Sequence, residues 1–204
     1  MSSNVWVAVE VTRRLRLVDG ELAPASGLTV GGVNLLQRQV KLALELAPPG
    51  NVMLLTPQPD EYVLELAGEH ELRVTSPMEL IASMTERAAA GESGAVVLLR
   101  QTCPLRDAAL VRTAIDGLAK HPVLISASVP PPGSALHDAI PGEDDPDHRC
   151  QAFEVRRLSE FTKDAMAAIP GRDDTLHFIP WDSFAELNRP TDEPLVAERL
   201  RSWG

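Results

Sequence analysis

The sequence contains few aromatic residues and few cysteines. Three Trp, one Tyr and four Phe make up 4% of its 204 residues, so a core must be built mainly from aliphatic side chains and Met. Such a core suits strands that are covered by helices on both faces. Cys103 and Cys150 have no other Cys or His at the usual metal-ligand spacing, and we expect both to be free thiols. The composition therefore favours an α/β protein without a disulfide framework.

Positive charge and long hydrophobic runs are also scarce. The 19 Lys and Arg are outnumbered by 29 Asp and Glu, and the resulting net charge of -10 opposes attraction to phosphate polymers and anionic lipids. No apolar stretch approaches the roughly 20 residues of a membrane span, and the first residues lack the basic start of a secretory signal. We therefore expect a cytoplasmic protein that binds neither nucleic acid nor membrane.

The length favours one domain that spans residues 1–204, because this number of residues suffices for one sizeable core. Residues 130–149 are rich in Pro, Gly, Asp and His and predict an exposed loop. The acidic segment 143–147 within it lacks the glycine and the distal glutamate of a calcium loop, so a solvated loop is favoured over a metal site.

Apolar runs alternate along the chain with segments of helical spacing. Ser76, Pro77 and Glu79 give one helix a clear start, with a capping hydroxyl, a proline at the first position and a glutamate three residues after the cap. The predicted strands are 5–11, 52–55, 72–75, 94–99, 123–129, 151–156 and 176–179, the predicted helices are 34–47, 77–90, 107–120, 159–168 and 191–202, and 60–69 is ambiguous.

This alternating order predicts a three-layer α/β sandwich with a mostly parallel central sheet and right-handed crossovers. Ligands on such sheets usually bind beyond the carboxyl ends of the strands. We therefore look for functional residues where the predicted strands end.

The most specific local motif is V-L-L-R-Q-T-C-P-L-R at 97–106, a buried strand that ends in a polar turn just before a helix. It resembles the L-L-Q-P-T-S-P-L-R motif of the CMP-sialic acid synthetases and related CMP-sugar-acid cytidylyltransferases. The positions that match are Thr102, Pro104, Leu105 and Arg106, and those that depart are Gln101 and Cys103.

Two further segments extend the resemblance to most of the chain. V-G-G-V-N-L at 30–35 resembles the G-K-P-L turn that opens the first long helix of the family, and L-N-R-P-T-D at 187–192 resembles its D-I-D-T-P-E-D segment. The resemblance implies a nucleotide-diphospho-sugar transferase-like fold, CTP-dependent transfer of a cytidylyl group to an acidic sugar, and a homodimer.

The resemblance also places the triphosphate at the loop after the first strand, which in the family is glycine-rich and basic. The equivalent stretch here keeps cations at Arg13, Arg14 and Arg16 but lacks the paired glycines and every lysine. Without the glycines, the backbone approaches phosphate less closely. A solvated face of a strand or hairpin explains the three arginines equally well. Gln101 and Thr102 complete the nucleotide contacts that the resemblance implies.

The resemblance implies that Arg106 is the catalytic residue and contacts an anionic substrate. Alternatively, Arg106 has a structural role and pairs with Asp107 at the helix start. The two metal-binding aspartates of the family become Glu186 and Asn188, which still offer oxygen atoms to Mg²⁺. Asp107 and Asp182 are alternative ligands.

Two classes of function follow. The first is a divergent nucleotidyltransferase that uses CTP, or another nucleotide, and an acidic sugar. The alternative is a non-catalytic binding or assembly module that has lost triphosphate and metal binding. Cys103, near the end of a predicted strand, is interpreted as an inert buried thiol and not as a nucleophile.

Overall fold

The structure is a computed structural model that describes residues 4–12, 14–16, 22–24, 26–128, 152–160, 176–185, 187 and 192–203. The strands are β1 (Asn4–Glu10), β2 (Arg14–Arg16), β3 (Leu22–Pro24), β4 (Thr29–Val30), β5 (Val33–Asn34), β6 (Val52–Leu55), β7 (Arg73–Thr75), β8 (Gly94–Arg100), β9 (Val123–Ala127), β10 (Phe153–Arg157) and β11 (Leu176–Phe178). The helices are α1 (Leu35–Leu46), α2 (Glu61–Glu69), α3 (Pro77–Ala89), α4 (Ala109–Gly117) and α5 (Glu193–Trp203).

Seven strands form the central sheet in the order β11-β9-β10-β8-β1-β6-β7. β1 lies in the middle and pairs in parallel with β6 and with β8. β10 is antiparallel to both of its neighbours, β8 and β9, while β7 and β11 continue the parallel direction. The prediction of a mostly parallel sheet is therefore confirmed, and the carboxyl ends of β1, β6 and β8 lie at one edge.

Helices cover both faces of this sheet, as a three-layer sandwich requires. Alternate residues of β1 point to opposite faces. Val7 and Val9 pack in the larger core with residues of α1, α2 and α4. Trp6 and Ala8 pack on the other face, in a smaller cluster with residues of α3. All four side chains are buried, which explains why the run is continuously apolar.

Capping side chains set the starts of three helices. Asn34 caps α1, and Ser76 and Glu79 form the predicted capping box of α3. Asp60 Oδ1 accepts a hydrogen bond from Val63 N at 3.0 Å and caps α2, which resolves the ambiguous segment as a helix. The predicted bounds of α1 and α3 agree with the structure to within one residue.

Two small hairpins lie outside the central sheet; a strand or hairpin was one of the two alternatives for the arginines of the first, whereas the second was not predicted. β2 pairs with β3, and β4 pairs with β5 through the turn at Gly31 and Gly32. Gly31 has φ of 58°, and a Cβ there would lie 3.1 Å from Cβ of Ala197 in α5. Glycine is therefore required both by the backbone and by the closely packed helix.

The remaining predictions have mixed outcomes. α4 is shorter than predicted, and residues 159 and 160 belong to a single 3₁₀ turn, Leu158–Glu160, rather than to an α-helix. The rest of that predicted helix, the loop at 130–149 and Cys150 lie outside the described residues, whereas Cys103 is a free and buried thiol. Within the described part of the chain, no helix has the length and apolar character that crossing a membrane requires.

Candidate functional site

A cleft of about 940 Å³ opens at the edge of the sheet where β1, β6 and β8 end. Its position agrees with the rule that open α/β sheets bind ligands beyond the carboxyl ends of their strands. The lining residues are Glu10, Val11, Thr12, Leu55, Pro57, Pro77, Leu98, Arg100, Glu154 and Arg156.

Two charged side chains stand at the strand ends. Glu10 is the last residue of β1 and Arg100 the last residue of β8, and the two are paired in the parallel register. Arg100 Nε lies 3.7 Å from Glu10 Oε2, and both side chains are about half exposed. An ion pair this exposed contributes little to stability, so a bound ligand can compete for these groups.

A second ion pair lies deeper in the cleft, on β10. Glu154 and Arg156 are two residues apart, so both side chains point to the same face of the sheet. Arg156 Nε donates to Glu154 Oε1, and the Arg156 side chain is only 7% exposed. Arg157 points to the opposite face, where it donates to the carbonyls of Leu118 and Ala119.

The start of α3 forms the facing wall through Pro77. The Glu79 carboxylate accepts hydrogen bonds from the backbone N–H and the hydroxyl of Ser76, at 2.8 and 2.9 Å. These hydrogen bonds from Ser76 lower the pKa of Glu79, because they stabilise its ionised form. The first turn of α3 is therefore firmly held beside the cleft.

Gln101, whose contact with a nucleotide stays a prediction, holds the chain where it leaves β1. Its side chain is buried, and its Oε1 accepts a hydrogen bond from Thr12 N at 2.9 Å. Its backbone N–H donates to the carbonyl of Glu10 at 3.2 Å. Gln101 thus sets the direction of the chain at the start of the predicted phosphate loop.

Thr102 links the motif turn to a later part of the chain through its backbone carbonyl, and its contact with a nucleotide stays a prediction. Leu187 N donates to Thr102 O at 2.8 Å, and Ala185 N donates to Pro104 O at 3.0 Å. Arg106 N donates to Ser183 O at 2.8 Å and completes this pairing. Glu186 and Asn188, the predicted metal ligands, lie outside the described residues.

Arg106 is not among the residues that line the cleft. Its guanidinium lies 3.2 Å from Asp107 and 3.8 Å from Asp182, and it is about half exposed. The pairing with Asp107 is the structural alternative predicted from the sequence. Contact of Arg106 with an anionic substrate stays a prediction.

A half-buried arginine supports this turn. Arg38 of α1 donates to the carbonyls of Leu105 and Arg106 and lies against the Trp203 ring, 5.1 Å from its centroid. Burial lowers the pKa of Arg38, although the charge of Glu45 opposes the shift. Arg38 therefore joins α1, the motif turn and α5.

The described residues do not form a metal site by themselves. No three His, Cys, Asp or Glu side chains in the described ranges converge in a group that could hold a metal ion. Asp107 and Asp182, the alternative ligands, both face the Arg106 guanidinium. The described donors therefore do not make a complete protein ligand set for Mg²⁺.

The predicted phosphate contacts are only partly described. The backbone of Arg14 and Arg16 lies in β2, opposite β3. Arg13 and the side chains of Arg14 and Arg16 lie outside the described part of the structure. Glu10, Glu154 and Arg156 were missed by the sequence interpretation. Charged residues that alternate with the apolar Phe153 and Val155 were the signal that pointed to Glu154 and Arg156.

Comparisons with known proteins identify the fold. No protein-family model and no curated protein matches the sequence. Among solved structures, CMP:2-keto-3-deoxy-manno-octonic acid synthetase in complex with CTP matches with a TM-score of 0.65 and 12% identity, over 98% of this chain and 99% of that chain. The chain has a nucleotidyltransferase-like fold.

Two other solved structures share this nucleotidyltransferase-like fold. The 4-diphosphocytidyl-2C-methyl-D-erythritol synthase of Anaerococcus prevotii matches with a TM-score of 0.64 and 12% identity, over 98% of this chain and 96% of that one. HddC of Yersinia pseudotuberculosis, in complex with GMP-PN, matches with a TM-score of 0.61 and 9% identity, over 95% and 98%. The fold predicted from the motif resemblance is confirmed.

Proposed function

We propose that this chain binds CTP in the cleft and transfers its cytidylyl group to an acidic sugar. The observation that supports the proposal is the cleft itself, which opens where β1 and β8 end and takes two of its charged residues from those strand ends. Ligand pockets in proteins commonly measure about 300–1,000 Å³, so a cleft near the upper end suits a nucleotide together with a small acceptor.

In this reaction, a hydroxyl oxygen of the acceptor attacks the α-phosphorus of CTP. The new P–O bond forms as the bond to pyrophosphate breaks, and the hydroxyl proton leaves to solvent or to a carboxylate. Catalysis of this kind rests on positioning and on neutralising phosphate charge. Gln101 positions the chain after β1 through Thr12 N, and the proposal assigns the phosphate contacts to Arg13, Arg14, Arg16 and Arg106.

Mg²⁺ at Glu186 and Asn188 remains part of the proposal. The ion would neutralise phosphate charge, which is its usual contribution in phosphoryl-transfer sites. Because the described donors do not make a complete ligand set, no step above depends on the ion. The homodimer implied by the resemblance also belongs to the proposal, and the molar mass in solution tests it.

The decisive experiment is isothermal titration of CTP into the purified protein with Mg²⁺, with ATP, GTP and UTP as controls. We expect selective binding of CTP, followed by pyrophosphate release when sugar acids are added. If another triphosphate binds preferentially, the proposal of nucleotidyl transfer stands, and that triphosphate replaces CTP as the substrate.

A non-catalytic binding module is the second candidate, and one observation favours it. Each guanidinium in the described lining faces a carboxylate, Arg100 with Glu10 and Arg156 with Glu154, so these walls carry balanced charge. Absence of binding by every triphosphate at millimolar concentration would replace the enzyme proposal with this one.

A further inference from the structure

We propose that Glu154 and Arg156 bind the acceptor and select a hydroxy acid, with Arg156 taking its carboxylate and Glu154 taking its neighbouring hydroxyl. The inference rests on the proposed function and names the acceptor chemistry that this cleft recognises. These two residues are specificity-determining and do not act on the reacting phosphate.

The pair is built into the sheet and not into a loop. Glu154 lies opposite Leu98 of β8 in the antiparallel register, and Arg156 lies opposite Val96. Leu98, Glu154 and Arg156 all line the cleft. Because sheet residues have little freedom to move, a ligand meets these two groups in a fixed arrangement.

Arg156 retains hydrogen-bonding capacity that points to an anionic ligand. A guanidinium has five N–H donors, and within the described residues the one partner of Arg156 is Glu154, at Nε. Among the described residues, a few buried side-chain atoms lack a hydrogen-bond partner, and the terminal nitrogens of Arg156 are not among them. A ligand in the cleft can therefore reach these nitrogens. The two Nη atoms together present the geometry that binds a carboxylate in bidentate fashion.

Glu154 supplies the complementary acceptor. Its side chain is 21% exposed, three times the fraction of Arg156, so a ligand in the cleft reaches its carboxylate more readily. An ionised carboxylate only accepts hydrogen bonds, and Oε1 already accepts one from Arg156. Oε2 is then suited to a ligand hydroxyl, which places a hydroxyl next to the carboxylate on Arg156.

Charge balance supports an acid over a neutral sugar. A buried guanidinium is unfavourable unless anions surround it, and among the described residues Glu154 is the one hydrogen-bond partner of Arg156. An acid completes that shell, whereas a neutral sugar offers only hydroxyls. The cleft therefore binds a neutral sugar more weakly than an acid, because a neutral sugar leaves Arg156 with unmade hydrogen bonds.

The test measures the binding of 2-keto-3-deoxy-manno-octonic acid by calorimetry, with and without saturating CTP. The probe for the carboxylate is the C1 amide of the same sugar, which keeps the hydroxyls and removes the charge. Arg156→Gln removes the guanidinium. The double variant Glu154→Arg with Arg156→Glu keeps an ion pair on β10 but exchanges the positions of its charges. Because the ion pair is kept, a loss of binding in this variant is not explained by loss of folding.

Arg157→Gln is the matched control, because Arg157 neighbours Arg156 on β10 and points away from the cleft. We expect the acid to bind about 10- to 100-fold more weakly to Arg156→Gln and to the double variant, as loss of a charged hydrogen bond predicts. The Arg157→Gln variant should keep wild-type affinity for the acid, and the amide should bind weakly to every variant.

Affinity for CTP separates this inference from the proposed function. If CTP does not bind but the acid binds through Arg156, the acceptor site stands and cytidylyl transfer is lost. If CTP binds but the acid binds equally to wild type and Arg156→Gln, the acceptor assignment is overturned. Failure of the acid to bind the wild type at millimolar concentration, with or without CTP, also overturns it. A loss of CTP affinity in Arg156→Gln would instead make Arg156 a phosphate contact.

Discussion

Gln39 of α1 is a buried polar residue that supports the turn after β8. Its Nε2 donates to the carbonyls of Arg100 and Cys103, at 2.6 and 3.1 Å. The Arg100 carbonyl also accepts from Cys103 N, so it keeps a partner when Gln39 is removed. Loss of the side-chain amide therefore removes two hydrogen bonds to the turn.

We expect Gln39→Leu to lower the free energy of unfolding by about 1–2 kcal/mol, the usual effect of losing buried hydrogen bonds. Urea denaturation followed by circular dichroism measures it. Gln37→Leu, on the same helix but partly exposed, is the matched control and should change stability by less than about 0.5 kcal/mol. Equal effects of the two substitutions would contradict a role for the Gln39 hydrogen bonds.

Arg106 offers the sharpest test of a residue role implied by the motif. Under the proposed function, Arg106→Met weakens CTP binding by at least about 10-fold, because a charged contact to phosphate is lost. Stability should fall by less than about 1 kcal/mol, since its ion pairs with Asp107 and Asp182 are partly exposed.

The control for that experiment is Arg112→Met, because Arg112 is an exposed arginine of α4 that donates to the Glu45 carbonyl. CTP should bind the control as it binds wild type. Unchanged CTP affinity in Arg106→Met would remove Arg106 from the nucleotide site and leave it with its structural pairing.

At the scale of elements, the β4–β5 turn determines how closely α5 approaches. Gly31 and Gly32 both have positive φ, but only Gly31 lies against α5, where an added Cβ would be 3.1 Å from Cβ of Ala197. Backbone strain and steric crowding therefore add at Gly31, and strain acts alone at Gly32.

We expect Gly32→Ala to lower the free energy of unfolding by about 1 kcal/mol and Gly31→Ala by about 2–3 kcal/mol. Gly27→Ala, where an added Cβ meets nothing within 4 Å, is the control for the removal of a glycine and should cost little. Chemical denaturation of the three variants measures their free energies of unfolding and ranks them. A smaller effect at Gly31 than at Gly32 would contradict the close packing of α5.

The capping box of α3 makes stability depend on pH. Hydrogen bonds from Ser76 lower the pKa of Glu79 in the folded protein, so its contribution is present above the unfolded pKa and is lost as the pH falls through the lowered one. We expect Glu79→Gln to be less stable than wild type at about pH 7 and the difference to shrink by about pH 3.

Thermal unfolding across this range measures the difference, and Glu86→Gln on the same helix is the control because Glu86 is exposed and has no capping role. A stability difference for Glu79→Gln that grows towards acid pH would have the wrong sign for a lowered pKa.

At the scale of the whole molecule, nucleotide binding should stabilise the sandwich as one unit, because α1, α3 and the motif turn all pack on the sheet that carries the cleft. CTP at 100 times its dissociation constant adds about 2.7 kcal/mol to the free energy of unfolding. For a chain of this length, that corresponds to a rise in Tm of about 5–10 °C.

Differential scanning fluorimetry with Mg²⁺ measures this rise, and ATP, GTP and UTP at the same concentration are its controls. We expect one cooperative transition that moves upward with CTP. A transition that does not move with any triphosphate contradicts the enzyme proposal.

The elements were largely predictable because their signals are local. The capping box at Ser76 and Glu79 marks the start of α3 within four residues of sequence, and the continuous apolar run of β8 predicts a strand buried on both faces. The motif that contains Gln101 and Thr102 also predicted a nucleotidyltransferase-like fold, which solved structures of 12% identity or less confirm.

The pairing of distant segments was decided by tertiary packing. The antiparallel direction of β10, the contact of Thr12 with Gln101 and the pairing of Leu187 with Thr102 join residues that no periodic pattern relates. The cleft depends on the same cause, since its charges come from three separate strands and converge only when β8 lies between β1 and β10. Periodicity and caps report how each segment folds, whereas the site depends on which segments become neighbours.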